Sequence, residues 1–107
     1  MKRFGQVLKL RPEFEDAYVR QHAAVWPGVL AQIRRSNIRN YSIFLRDGIL
    51  FACFEYVGND FAADMGAMAA DPETQRWWAL MEPMQQKWPS ASAQEWWSNM
   101  TEVFHVD

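Results

Sequence analysis

The sequence predicts a single α+β domain in which helices cover one face of a four-stranded antiparallel sheet. Three observations predict it: an alternating N-terminal segment, a hairpin signal at Asp47-Gly48, and helical spacing of apolar residues before and after that hairpin. The elements follow the order β-α-β-β-α-β of ferredoxin-like folds. The 107 residues suffice for one domain, 1–107, and show no linker or internal repeat.

The first half of the chain contains one strand and two helical stretches. Residues 3–10 alternate like a strand with two distinct faces, and Pro12 ends it because proline lacks the amide hydrogen of a sheet ladder. Apolar residues then recur at helical spacing over 14–25. Trp26-Pro27 predicts a break or kink, after which a second helix is expected over about 28–36.

The second half continues with strands over 40–46 and 49–57, a helix over 59–70, another from Pro72 to near Pro83, and a last strand over about 100–106. Gly48 supplies the positive φ that a two-residue hairpin turn needs. Asp71 is suited to cap the helix that begins at Pro72. Residues 89–98, rich in Pro, Ser and Ala, are expected to form a loop.

The apolar residues of the predicted strands are too numerous for one covered face of the sheet. Those that cannot all point the same way are Phe44, Leu50, Phe54, Tyr56 and Phe104. A second sheet packed on the uncovered face would remove the excess from water. We therefore expect a sheet-to-sheet homodimer, the arrangement of a dimeric α/β barrel.

Composition excludes several classes of function. The net charge is −2 and no basic block exceeds Arg34-Arg35, so no nucleic-acid partner is expected. The longest apolar run, residues 49–54, is too short to cross a membrane. No secretory signal follows Lys2-Arg3, and a single cysteine cannot form an internal disulfide, so we expect a cytoplasmic protein. The spacing of the two histidines predicts no metal site, and no cofactor motif is present.

Acid–base groups and aromatic surface remain as candidates for chemistry. Tyr18 and His22 are four residues apart, hence on one helix face, and histidine changes protonation near pH 7. In the adjacent pair Trp77-Trp78, one ring is expected in the core and the other is available to a ligand, such as the C–H face of a sugar. Each also has a purely structural interpretation, as do Tyr41 in its strand and Trp26 beside the kink; His105 is expected at the surface.

Together these residues resemble the L-rhamnose mutarotase family. The resemblance is carried by Tyr18-x-x-x-His22-x-x-x-Trp26-Pro27, Asn40-Tyr41-x-Ile43, Gln75-Arg76-Trp77-Trp78 and the closing Glu102-Val103-Phe104. It spans nearly the whole chain in the same order. The segment containing Glu95-Trp96-Trp97 departs from typical members, so the roles of Trp96 and Trp97 stay open.

The resemblance implies a ferredoxin-like dimer that interconverts the α and β anomers of a free 6-deoxy-aldopyranose without metal or cofactor. It implies His22 as the proton donor, which we expect to protonate the ring oxygen, and Tyr18, Tyr41, Trp77 and Trp78 as substrate contacts. The complementary base is not identified; Tyr18, Tyr41 or a water could assist. The resemblance does not separate L-rhamnose from L-fucose.

Two other classes of function compete with this interpretation. A cofactor-free monooxygenase of ferredoxin-like fold also uses His, Trp and Tyr in a pocket between helices and sheet. A non-catalytic sugar-binding module would use the tryptophans and not depend on His22. Fold alone does not decide among them.

Overall fold

The computed structural model describes residues 1–107 and confirms the predicted α+β architecture. Its elements are β1 (Lys2–Leu10), α1 (Glu15–His22), α2 (Pro27–Arg35), β2 (Ile38–Arg46), β3 (Ile49–Tyr56), α3 (Phe61–Ala70), α4 (Pro72–Met81), β4 (Gln85–Gln86) and β5 (Ser98–Met100). The sheet has the order β2-β3-β1-β4, with β5 also paired to β1, and all pairs are antiparallel. The fourth strand position of the ferredoxin-like order is thus shared by β4 and β5.

The β2–β3 hairpin forms where the sequence predicts it. Asp47 and Gly48 both have positive φ, 51° and 74°, which matches the twist of the flanking strands. Pairing then runs from Arg46↔Ile49 to Ile38↔Tyr56, so β2 begins two residues earlier than predicted.

Local sequence signals also set the helix boundaries. Trp26 is extended, with ψ 136°, and separates α1 from α2 at the predicted Trp26-Pro27 break. The Asp71 carboxylate accepts a 2.9 Å hydrogen bond from the Thr74 amide and caps α4, as predicted.

The core lies between the helices and the sheet. Even-numbered residues of β1 and β3, among them Leu8 and Leu50, face the helices and pack with Val29 of α2 and Met81 of α4. The other sheet face carries no helix, and there Phe44 is 59% exposed. None of the helices has the length and apolar character needed to cross a bilayer.

The predicted last strand over 100–106 is wrong. Only Ser98–Met100 pairs with β1, and Thr101–Asp107 continues as an exposed segment outside any element, here called the C-terminal tail. The start of the tail is held to β1 by an ion pair, in which Arg3 Nε lies 3.2 Å from a carboxylate oxygen of Glu102. The register Gly5↔Met100 explains part of the difference, because continued pairing would place residue 103 opposite Lys2, where β1 begins, and residues 104–106 then have no partner strand. Residues 101–103 leave the sheet although the first residues of β1 lie opposite them in that register.

Candidate active site

A cavity of about 590 Å³ opens between the helices and the helix-covered face of the sheet. Its walls come from α1, α2, β2, β3 and α4, and they are almost entirely apolar apart from the hydroxyls of two tyrosines and the ring of one histidine. The residues that carry these polar groups are Tyr18, His22 and Tyr41. A largely apolar cavity with a few convergent polar groups is typical of a small-molecule site.

His22 ends α1 and turns one ring nitrogen inward to its own helix. Its Nδ1 lies 2.9 Å from the Tyr18 carbonyl oxygen, which can only accept, so Nδ1 carries the proton. Nε2 is the nitrogen left to exchange a proton with a ligand. Burial lowers the pKa of His22, and the bond to the carbonyl offsets this in part. The imidazole is therefore neutral at pH 7.

Aromatic rings hold the imidazole from two sides. The Tyr18 ring lies 4.3 Å from it between centroids, and the Trp77 ring meets it edge-on at 5.3 Å. Trp26, predicted as a packing residue, meets Trp77 at 5.2 Å in a similar geometry. The histidine thus cannot tilt without displacing core aromatics.

Tyr18 is buried and its hydroxyl accepts a hydrogen bond from a buried glutamine. Gln85 Nε2 donates to the Tyr18 hydroxyl oxygen at 3.0 Å, and Gln85 Oε1 accepts from Trp96 Nε1 at 2.7 Å. Burial raises the pKa of Tyr18, and the bond from Gln85 lowers it by less. Sequence reasoning missed Gln85, because a lone glutamine after a helix carries no motif.

Tyr41 lines the cavity beside a β-bulge. The register of β2 shifts between Arg39 and Ser42, so that Asn40 and Tyr41 together oppose Phe54. Asn40 has φ 51° and its amide Nδ2 lies 2.6 Å from Glu55 Oε1. Tyr41 shares the helix-covered face with Ile43 and Leu45, and the extra residue lets Ile38, on the other side of the bulge, face the core as well.

The Tyr41 side chain forms part of the cavity mouth. Its ring lies 5.5 Å from that of Phe54. The residue is 40% exposed. Burial, and secondarily the nearby Tyr18 phenol, raise the pKa of Tyr41 well above its ordinary value. Both phenols therefore keep their protons over the range in which His22 titrates.

The paired tryptophans point in different directions. Trp77 is 6% exposed and lines the cavity, whereas Trp78 is 37% exposed and is not part of the lining. The structure thus brings together Tyr18, His22, Tyr41 and Trp77 and leaves Trp78 outside. His105, predicted at the surface, lies in the C-terminal tail beside Asp107.

The later tryptophan pair is divided in the same manner. Trp97 packs against the main core, and Trp96 makes the hydrogen bond to Gln85. No group of three or more His, Cys, Asp or Glu side chains is placed to hold a metal ion. The polar chemistry of the cavity therefore comes from one imidazole and two phenols.

Comparison with known proteins places this chain in a family. A family model described as L-rhamnose mutarotase matches residues 3–106. The chain is 36% identical over 109 residues to an L-rhamnose mutarotase from Phocaeicola vulgatus and 32% identical over 107 residues to one from Oceanobacillus iheyensis. In both cases the similarity covers 100% of each chain.

Solved structures show the same fold. The crystal structure of an L-rhamnose mutarotase from Formosa agariphila superposes with a TM-score of 0.78 at 24% identity, covering 100% of both chains. Tetracenomycin F2 cyclase from Streptomyces glaucescens superposes with a TM-score of 0.64 at 12% identity over the full length of both. Because these identities are low, the two structures support the fold alone. The family model and the similar sequences show more: this chain belongs to the L-rhamnose mutarotase family, whose members are isomerases.

Proposed function

We propose that this protein interconverts the α and β anomers of L-rhamnose by acid–base ring opening in the cavity, with His22 as the catalytic residue. The observation that carries the proposal is the free Nε2 of His22 on the wall of an otherwise apolar cavity, with Nδ1 committed to a carbonyl. Family membership supplies the sugar. We also propose a cytoplasmic location, which the unpaired thiol of Cys53 favours.

Mutarotation moves two protons and breaks one bond. A proton leaves the anomeric hydroxyl, another is delivered to the ring oxygen, and the bond between that oxygen and C1 opens to an aldehyde. After rotation about C1–C2, the hydroxyl adds back to the other face of the carbonyl. In this proposal His22 Nε2, as imidazolium, protonates the ring oxygen. The neutral imidazole then takes the same proton back during closure, as microscopic reversibility requires.

The pKa of His22 suits a group that must act in both directions. Burial lowers the pKa of His22 below its ordinary 6.5, so the neutral imidazole is the main form at pH 7 and the imidazolium is the form that opens the ring. A strongly raised pKa would make closure slow, and a strongly lowered one would make opening slow. General acid–base catalysis supplies about 10²–10⁴-fold, and a reaction that already proceeds in water needs no more than a modest reduction of its barrier.

The aromatic residues are proposed as substrate contacts. Tyr18 and Tyr41 keep their protons and can donate hydrogen bonds to sugar oxygens, while Trp77 offers its ring to an apolar C–H face. Trp78 is exposed and outside the cavity lining, so its proposal as a sugar contact rests on the family resemblance alone. The base that takes the anomeric proton is not assigned among the phenols and water.

We also propose that the protein acts as a homodimer through the uncovered sheet face. That face bears the exposed side chains of Phe44, Ile49 and Met100 and a groove of about 300 Å³. The C-terminal tail adds Val103, 93% exposed, and Phe104, 79% exposed. Removing such a patch from water favours association. Sedimentation at micromolar concentration should give twice 12.6 kDa, and a monomer would contradict this part of the proposal.

The deciding experiment is exchange NMR on the anomeric protons of L-rhamnose, with and without protein, and with L-fucose in parallel. Enhanced α/β exchange with L-rhamnose supports the proposal, and the ratio of the two rates identifies the better sugar. His22→Ala should lower the catalysed exchange at least tenfold, about 10²-fold if the loss matches ordinary acid–base catalysis. If neither sugar responds, the proposed reaction is refuted, and oxygen uptake or sugar binding becomes the next assay.

A further inference from the structure

A hydrogen-bonded chain connects the loop after β4 with the cavity. Trp96 Nε1 donates to Gln85 Oε1 at 2.7 Å, and Gln85 Nε2 donates to the Tyr18 hydroxyl oxygen at 3.0 Å. Gln85 is 6% exposed, so its amide has no free access to water. β4 fixes the glutamine backbone by pairing Gln85 with Leu10.

The indole determines which end of the amide faces the tyrosine. An indole N–H can only donate, so the amide atom that meets it must be the oxygen. The amide NH₂ must then point at Tyr18, whose hydroxyl oxygen becomes an acceptor. Gln85 is the one side chain that hydrogen-bonds to this hydroxyl. The phenolic proton is therefore directed away from Gln85 and is available to a ligand.

From this geometry we propose that Gln85 and Trp96 are positioning residues that oblige Tyr18 to donate its proton to a sugar oxygen in the cavity. The inference rests on the proposed function and adds two residues to it. A free phenol can rotate to donate or accept, whereas this one has its direction set by the protein. A fixed donor is aligned before the sugar arrives and loses less rotational freedom on binding.

The loop that carries Trp96 is held by its own hydrogen bonds. The Glu95 carboxylate accepts from the backbone amides of Ser92 at 3.1 Å and Asn99 at 3.2 Å, and Lys87 Nζ donates to the Ser92 carbonyl at 3.0 Å. These contacts place the Glu95-Trp96 pair beside β4. The segment that departs from typical members of the family is thereby the one that orients an amide behind the site.

The test reverses the direction of the hydrogen bond between Gln85 and Tyr18. Gln85→Glu replaces the NH₂ donor with a carboxylate oxygen, to which Tyr18 would donate its proton instead of donating it to the sugar. We expect kcat/KM for L-rhamnose exchange to fall about 3–10-fold, the worth of one hydrogen bond, with most of the change in KM. Gln86→Glu, an exposed neighbour with the same charge change, is the matched control and should stay within twofold of wild type.

A double-mutant cycle separates positioning from structure. If Gln85 acts through the Tyr18 hydroxyl, Gln85→Glu should change kcat/KM less than twofold in a Tyr18→Phe background. An equal loss in both backgrounds, or no loss in either, overturns the proposal. Trp96→Phe, which keeps a ring but removes the N–H, gives a second variant if Gln85→Glu does not fold. It should cost about 2–4-fold, and this loss should also vanish with Tyr18→Phe.

A measurement without sugar tests the hydrogen-bonded chain from Trp96 through Gln85 to Tyr18 separately from the proposed function. The Trp96 indole N–H resonance should shift in Tyr18→Phe, because losing the phenol frees the amide that the indole contacts. Wild-type protein that does not enhance exchange refutes the proposed reaction, while a shifted resonance in that case still supports the chain. An unchanged indole resonance would contradict it whatever the sugar result.

Discussion

The β-bulge at Asn40 allows a test of whether backbone strain beside the candidate active site affects its activity. Asn40 has φ 51°, in the left-handed region that asparagine tolerates and β-branched residues avoid. Asn40→Val should either strain this conformation or remove the bulge. Removal would leave Tyr41 on the face of Ile43 and Leu45 and turn Ile38 from the core to the uncovered sheet face. Either way the variant disturbs the backbone next to Tyr41 without changing a residue of the cavity lining.

The size of the effect follows from the local geometry. A left-handed conformation costs an ordinary residue about 1–2 kcal/mol, and the exposed hydrogen bond to Glu55 adds at most about 0.5 kcal/mol. At about 4 °C per kcal/mol for a domain of this size, Tm should fall by about 4–10 °C. Displacement of the adjoining Tyr41 hydroxyl from its sugar contact should reduce kcat/KM for exchange about 3–10-fold.

Two controls separate strain from loss of the site. Asn40→Gly keeps the left-handed conformation without strain and should retain both Tm and exchange within small margins. Asp47→Val introduces the same strain at φ 51° in the hairpin turn, away from the cavity. It should lower Tm similarly and leave exchange unchanged. Calorimetry and exchange NMR on the same samples measure both effects. Wild-type exchange in a destabilised Asn40→Val protein would refute the link between bulge and site.

Three further predictions concern His22 and two helical glycines. If imidazolium opens the ring of the neutral sugar, kcat/KM should fall about tenfold per pH unit above the lowered pKa of His22; a level profile from pH 6 to 8 would contradict the acid role. Because the folded pKa is depressed, the unfolded chain binds more protons between that value and about 6.5. The stability from a neutral His22 is therefore complete above about 6.5 and declines as pH falls, and His22→Gln should flatten urea-unfolding free energies across this window. Gly28→Ala would push a Cβ against the Glu73 carboxylate, the flexible end of a side chain that can rotate away, so the fold should lose at most about 1 kcal/mol. Gly66→Ala, with open space around it in α3, should stabilise the fold by about 0.4–1 kcal/mol in the same urea-unfolding measurement.

Local signals in the sequence were sufficient for most of the fold. Pro27, Asp71-Pro72 and Asp47-Gly48 act through covalent geometry and neighbouring amides, so their effects depend little on tertiary context. The last strand was mispredicted because its alternating pattern is real but its pairing depends on how far β1 extends. A pattern of alternating residues predicts that a segment can be a strand and says nothing of whether a partner edge remains.

The residues of the candidate site likewise differ in whether local sequence signals could predict their positions. His22 and Tyr18 could be placed together from their spacing on one helix. Tyr41 follows the alternation of β2 with Ile43 and Leu45, whereas the position of Gln85 depends on a two-residue strand distant in sequence. Of the Trp77-Trp78 pair, the sequence predicted that one ring is buried, and the structure shows that it is Trp77. Helical geometry separates adjacent side chains by about 100°, but which one faces the core depends on the packing of α4.

The electrostatics of the cavity favour His22 over the two phenols as the group that protonates the ring oxygen in the proposed reaction. Burial lowers the pKa of His22 and raises those of Tyr18 and Tyr41, so all three side chains are neutral at pH 7. A site with no fixed charge suits an uncharged sugar, because no buried ion needs to be desolvated or neutralised when it binds. Within this neutral set, only the imidazole has a pKa close enough to 7 to change its protonation state at moderate cost. The same burial that keeps the phenols protonated therefore supports His22 as the proposed acid for the ring oxygen.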